Sequence, residues 1–239
     1  FDEIYEEAIG AEMISYRLRE LLHSGKRKLP LISAGCPSIL NLIQIRFPNL
    51  MEHVVDYRPP VEVVASMARR EAERRHPDKK VGIFFIAPCT AKISFIKESD
   101  EVVDSDIDKM IAISDIYKQV LQNLEKLKDE EIEDLEKAGM TGLRWPSPGG
   151  ESLSLQTDDF VAVDGIDKVI DIFEKIEDEK LDGLAFVETE ACRGGCFGGS
   201  LTVENSYSAK ANIKPLIDEA KEKYGERTLN LPGEEDELL

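Results

Sequence analysis

Cysteine is scarce in this chain of 239 residues, with four thiols in all, and tryptophan is scarcer, with one. So few cysteines exclude a disulfide scaffold. With no targeting segment visible, they point to a reducing, cytoplasmic setting in which thiols stay available as ligands. No run of about 18 apolar residues occurs, so no membrane span is expected. Bases are outnumbered, 30 Lys and Arg against 48 Asp and Glu, and the formal charge of −18 argues against nucleic acid and anionic membrane as partners. Both would demand neutralisation by Lys and Arg. The three histidines, His23, His53 and His76, are scattered and receive no ligand role. No Gly-Lys-Ser/Thr closes a glycine loop, so no phosphate loop is present. The sequence opens on Phe1 rather than Met, which suggests a piece of a longer chain.

What is present suits a soluble α/β fold. Hydrophobic residues make up 42% and charged residues 33%, and the length allows one large or two small domains. Helical spacing is expected from Ile9 to His23, from Pro37 to Ile45, from Val61 to Arg75, from Gly165 to Ile176 and from Ala209 to Tyr224. Ser114-Asp115 would cap a further helix reaching Leu127, and Asp129 to Lys137 reads as a short charged one. Strands are expected at Leu29 to Ala34, Val81 to Ala87, Met110 to Ile113, Asp159 to Val163 and Leu184 to Val187, with a short one at His53 to Val55. Val81 to Ala87 is continuous, β-branched and aromatic, as for a strand buried on both faces. The alternation argues parallel sheets flanked by helices in two lobes. Residues 139 to 155, with Trp145 and several Pro and Gly, are either the boundary between lobes or a loop packed over a site. The tail from Pro232 to Leu239 is expected to fray.

All four cysteines stand just past strand patterns. Cys36 lies in Leu31-Ile-Ser-Ala-Gly-Cys-Pro37, and Cys89 in Gly82-Ile-Phe-Phe-Ile-Ala-Pro-Cys-Thr-Ala-Lys92. Cys192 and Cys196 follow Gly183-Leu-Ala-Phe-Val187, spaced C-x-x-x-C among Gly194, Gly195, Gly198 and Gly199. Ligands in parallel α/β sheets gather at the carboxyl ends of strands. Three strand ends delivering four thiols to one region is what a cluster with four thiolate ligands needs. Glycine permits close backbone approach, and main-chain N–H groups there would point at the cluster's sulfur atoms. Zinc on four cysteines is the nearest chemical rival, but Cys36 and Cys89 lack C-x-x-C knuckles. A radical-enzyme C-x-x-x-C-x-x-C is excluded for want of a third nearby cysteine.

These three stretches together resemble the iron-iron hydrogenases, in the large domain that holds the H-cluster. Ser33-Ala-Gly-Cys-Pro37 stands against T-S-C-C-P, Ala87 to Phe95 against M-P-C-x-x-K-x-x-E, and Glu188 to Gly199 against E-x-M-x-C-x-x-G-C-x-x-G-G. Phe1-Asp-Glu and Ile9-Gly-Ala-Glu-Met13 look like the family's F-D and F-G-A-D text. The likeness spans about the whole chain. It implies one H-cluster domain over residues 1 to 239, with the iron-sulfur site between two lobes of mostly parallel sheet. It implies that Cys36, Cys89, Cys192 and Cys196 hold a 4Fe-4S cluster. Cys196 would also bridge to a di-iron subcluster carrying CO, cyanide and a dithiolate amine. Lys92 matches the lysine that donates to a cyanide. An aerobic preparation is expected to be empty at this site.

The departures fall on proton handling and on the pocket. Gly35 occupies the place of the family's proton-passing cysteine, Glu190 that of a methionine near the bridging CO, Phe95 that of a glutamate on the proton path, and Ala87 that of a methionine over the cluster. Such losses characterise sensory-type relatives. The expectation is therefore an iron-sulfur domain in redox or H2 sensing with slow or no turnover. It would meet H2 or protons and a redox partner such as ferredoxin or an appended iron-sulfur or signalling domain. Two alternatives stay open: an active hydrogenase with an unusual proton route, and a module that binds 4Fe-4S only. Glu190 is either a tuning group or a salt-bridged strand-end acid, and Lys92 either a cyanide donor or a plain surface lysine.

Overall fold

The structure, a computed structural model, describes residues 1–99, 105–124, 126–127 and 138–225. The charged helix expected at Asp129 to Lys137 and the tail from Pro232 lie outside them. In chain order come α1 (Glu7–His23), β1 (Leu31–Ile32), α2 (Pro37–Arg46), α3 (Pro60–Arg75), β2 (Phe84–Ala87), α4 (Thr90–Ser99) and β3 (Lys109–Ala112). Then follow α5 (Ile113–Leu124), α6 (Met140–Arg144), α7 (Gly150–Ser154), β4 (Phe160–Asp164), α8 (Ile166–Glu177), β5 (Phe186–Glu190) and α9 (Ser206–Tyr224). Every strand pairing is parallel: one sheet runs β1-β5-β4 and the other is the pair β2-β3. This is the α/β architecture of parallel sheets and flanking helices that the sequence predicts.

The three-stranded sheet is covered on both faces, and strand alternation sorts its side chains. Ile32 and Val187 point to the face where Ile39, Ile43 and Phe47 meet Val169 and Phe173 of α8. Phe47 and Phe173 meet edge to face with centroids 5.4 Å apart. Leu31 and Phe186 point the other way, onto Met13, Ile14 and Leu18 of α1 and Val63 of α3. The same two-residue period puts Glu188 and Glu190 on the Phe186 face, the face α7 packs against.

The second sheet departs from expectation. Its first strand is four residues long and is not buried on both faces: Phe85 and Ala87 are covered, whereas Phe84 is 44% exposed and Ile86 38%. Only one face meets a core, made with Val61, Ala65, Ile96 and Ile107. Phe84 and Ile86 instead line a groove of ≈ 490 Å³ with Phe1, Tyr5 and Val64. The strand expected at His53 to Val55 is a 3-10 turn, Pro48–His53, followed by a single bridge from Val54 to Ile32. The helix expected from Ser114-Asp115 to Leu127 begins one residue earlier and ends at Leu124.

No helix among the described residues is long and apolar enough to cross a membrane. Residues 139 to 155 form α6 and α7. The turn between them packs on the glycine-rich loop: the Cys196 N–H donates to the Pro146 carbonyl at 3.0 Å. Gly142 on α6 lies against the Ala8 carbonyl of α1, where a methyl group would collide.

Candidate metal centre

Each cysteine sits where a strand has just ended. Cys36 follows β1 and caps α2, its carbonyl accepting the N–H groups of Ile39 and Leu40 at 3.0 and 3.1 Å, with Pro37 in the first helical position. Cys89 closes β2 of the other sheet and precedes α4; its Sγ accepts the Lys92 N–H at 3.5 Å. Cys192 and Cys196 follow β5. Two hydrogen bonds carry the loop after Cys196 onto the Cys89 turn. Leu201 N–H donates to the Pro88 carbonyl at 3.0 Å, and Thr90 N–H to Ser200 Oγ at 3.3 Å. Gly199 rests on that same Pro88 carbonyl, with no room for a side chain.

The four thiols are all free and partly buried; Cys36 and Cys89 both act on Cys192, and Cys36 also acts on Cys196. Burial raises the Cys192 thiol, and Cys36, Cys89 and Glu190 raise it further. Burial pushes Cys196 up to about 12, opposed by Lys92 and reinforced by Glu190, Glu7 and Cys36. Among the described residues, no three His, Cys, Asp or Glu groups gather tightly enough to hold a single metal ion. A zinc ion would draw four sulfurs to ~2.3 Å of one centre, whereas a cubane takes each thiolate on a different iron and keeps the sulfurs apart. In donor chemistry, four free thiols past strand ends with a glycine bed beside two of them fit a cubane.

Four of the loop's N–H groups are taken by the protein itself. Gly194 N–H donates to Asp164 Oδ2 at 2.6 Å and Gly195 N–H to the Cys192 carbonyl at 3.2 Å. Cys196 and Gly199 N–H groups bond to the Pro146 and Cys196 carbonyls at 3.0 and 3.1 Å. These donors fix the loop's shape rather than pointing at a ligand, because a buried backbone N–H takes whatever carbonyl the turn offers.

Lys92 is not a surface lysine. Its side chain is 13% exposed, and Nζ pairs with Glu7 Oε1 at 2.6 Å. Burial alone would lower its pKa, but Glu7, Cys196 and Cys89 more than offset that, and the ammonium stays charged. Glu190 is in no ion pair among the described residues, and its Oε2 is buried without a partner. Burial, then Glu188, Glu151 and Asp164, push it up to about 9, with Lys210 a minor opposing influence. Ala87 points into the apolar layer with Phe85 and Ile96. Thus the cysteines, Lys92 and Glu190 form one electrostatic neighbourhood, while Ala87 belongs to a core.

Gly35 opens onto residues not singled out by sequence reading. A Cβ there would stand 3.4 Å from Ser33 Oγ and 3.7 Å from both Glu151 Oε2 and Tyr57 OH. Ser33 O–H donates to Glu151 Oε2 at 2.5 Å, and Tyr57 O–H to Glu151 Oε1 at 3.0 Å. Burial and then Glu188 push Glu151 up to about 8. The only sequence cue to Glu151 was its place after Gly149-Gly150 in a stretch already suspected of covering a site. Glu7 and Tyr57 carried no cue at all.

Comparison with known proteins finds the same fold elsewhere. An FeFe-hydrogenase structure concerned with oxygen inactivation through modification and degradation of the 2Fe subcluster aligns over 100% of this chain and 83% of its own, at 17% identity and TM-score 0.66. One concerned with stepwise H-cluster assembly aligns equally far at 18% identity and TM-score 0.66. An apo FeFe-hydrogenase from Chlamydomonas reinhardtii aligns over 98% of this chain and 83% of its own, at 17% identity and TM-score 0.65. These likenesses bear on the fold. No curated protein matches the sequence. The family model for the iron only hydrogenase large subunit, C-terminal domain, matches residues 1–157 and 150–200, and the chain belongs to that family.

Proposed function

We propose that this chain is a single H-cluster-type domain for redox or H2 sensing, with slow or absent turnover. Cys36, Cys89, Cys192 and Cys196 would hold a 4Fe-4S cluster, and Cys196 would also join a di-iron subcluster with CO, cyanide and dithiolate amine ligands. When bound, that group supplies electron storage and a metal site able to meet H2. The single observation that carries the reading is that four free, partly buried thiols stand past strand ends of two sheets tied by the Pro88–Leu201 hydrogen bond, with Cys192 acted on by thiols of both sheets, Cys36 and Cys89.

The chain's own residues explain why turnover is not the expected outcome. Lys92 offers a buried ammonium suited to an anionic diatomic ligand, but Glu7 already holds it, so any such bond is shared. Gly35 has no side chain to pass a proton where the relay cysteine of relatives would stand. Glu190 brings a carboxyl group where a methionine would be apolar. Changes in the cluster's charge would be felt by both sheets, which gives a partner such as ferredoxin, or an appended domain, something to read.

The test is to supply iron, sulfide and a synthetic di-iron cofactor anaerobically and record the infrared CO and cyanide bands under argon and under H2. The expected result is uptake and H2-dependent band shifts with little viologen-linked turnover. Absence of bands after loading would remove the reading. About four irons and four sulfides per chain without diatomic bands would favour a 4Fe-4S-only module. Brisk turnover lost in Glu190→Gln would favour an active hydrogenase with an unusual proton route.

A further inference from the structure

Glu7 and Lys92 belong to the helix layers of different sheets. Lys92 stands in the first turn of α4, which docks on the two-stranded sheet through Ile93 and Ile96. Glu7 opens α1, which docks on the three-stranded sheet through Met13, Ile14 and Leu18. Their ion pair at 2.6 Å therefore ties one layer to the other, and it does so beside thiols from both. The Lys92 N–H donates to Cys89 Sγ at 3.5 Å, and after burial and Glu7 the groups that act on its ammonium are Cys196 and Cys89. Nζ also lies 6.0 Å from the centre of the Phe85 ring. An ammonium has three donors, so the bond to Glu7 leaves others for a ligand held among those thiols.

The carboxylate end of the pair is the rigid one, because the first turns of α1 are pinned on three neighbours. Glu6 accepts the Ala138 N–H at 2.6 Å. Gly142 packs on the Ala8 carbonyl, and Gly10 lies on the Pro60 carbonyl of α3 with no room for a side chain. The helix macrodipole favours an acid in that first turn. A lysine stem has many rotamers, whereas a glutamate on a pinned turn has few places to put its charge, so Glu7 sets where the ammonium rests. On α4 itself the same task would fall to position 95, one turn beyond Lys92 on its face. Phe95 stands there, half-buried and in none of the three core clusters of the described residues.

We propose that Glu7 is a positioning residue of the cofactor site: from the pinned start of α1 it holds the Lys92 ammonium in the neighbourhood of Cys89 and Cys196, the role an acid at position 95 would otherwise fill. The inference rests on the reading of the four cysteines as cluster ligands.

The experiment has two arms. In the cluster-free full chain, acetylation read by mass spectrometry should find Lys92 protected relative to the exposed Lys97. Glu7→Gln should raise the Lys92 rate several-fold and leave Lys97 unchanged, and Glu7→Gln/Phe95→Glu should bring the Lys92 rate back down. In the chain loaded with iron, sulfide and synthetic di-iron cofactor, the infrared cyanide bands should shift in Glu7→Gln in the same direction as in Lys92→Met, and return toward the parent when Phe95→Glu is added. An ion pair that only stabilises the fold would leave those bands in place. A Lys92 rate indifferent to Glu7→Gln, a rise that Phe95→Glu fails to reverse, or cyanide bands common to the parent and Glu7→Gln each overturn the proposal. Should Glu7→Gln fail to fold, Glu7→Asp keeps the charge and shortens its reach, and is expected to give an intermediate rate; a rate equal to the parent's overturns the proposal. A parent chain that takes up no cluster would instead count against the proposed function and leave the acetylation arm to decide.

Discussion

Lys92 and Glu7 form an ion pair that α4 and the first turn of α1 bring together across 85 residues of sequence. Removing one partner of a buried pair leaves the other charge uncompensated, at about 3–5 kcal/mol. With Glu7 32% exposed, Glu7→Gln should lose stability near the lower end of that range. Glu7→Gln/Lys92→Met together should lose less than Lys92→Met alone plus Glu7→Gln alone, as read by urea unfolding of the metal-free protein; simple additivity would show that the pair is not coupled. Glu151 gives a pH dependence with a fixed sign. Its acid form is favoured by folding, so its contribution is complete below its ordinary value of 4.5 and is lost as pH rises through about 8. The thermal midpoint of the metal-free protein should therefore fall across that window, and Glu151→Gln should flatten the fall. At Gly199 the Pro88 carbonyl leaves no space for a methyl group. Gly199→Ala should cost about 1–3 kcal/mol and lower the iron and sulfide bound per chain after reconstitution.

Among the elements, those read well from sequence are the ones whose apolar period is carried by strong formers. Helices α3, α8 and α9 lie within a few residues of where spacing puts them. Asn205 fixes the start of α9 by accepting the Tyr207 and Ser208 N–H groups at 3.0 and 3.4 Å; Asn205→Ala should cost about 1 kcal/mol in thermal unfolding. Helix α4 was not legible. Thr90, Ile93 and Ile96 are β-branched and poor helix formers, and Ile93 and Ile96 are helical because they dock on Phe85 and Val61. β5 runs further toward Cys192 than Leu184 to Val187 suggested. Glu188 looks wrong for a buried strand until Gly149 and Ser152 are seen donating to it. β2 misled in the opposite way. Continuous hydrophobicity usually means two covered faces, but here one face meets a core and the other lines the groove with Phe1 and Tyr5.

For the molecule as a whole, the decisive arrangement is two separate parallel sheets turning their carboxyl ends to one place. Cys36, Cys192 and Cys196 come from one sheet and Cys89 from the other, joined through the Pro88–Leu201 contact. Cys89→Ala should accordingly abolish cluster binding, as measured by iron, sulfide and visible absorption after reconstitution, while leaving the three-stranded sheet's fold and helical content unchanged. Retention of a full cluster would show that the thiols of a single sheet suffice. By itself the sequence determined the α/β class, the strand-end position of every cysteine and the family, because these follow from local periodicity and from motifs a few residues long. Only tertiary structure decided that Glu7 holds Lys92, that Glu190 is in no ion pair among the described residues and that Glu151, Ser33 and Tyr57 converge on Gly35. Those relations join residues far apart along the chain, and burial, which sets their charge, exists only once the sheets and α7 have packed.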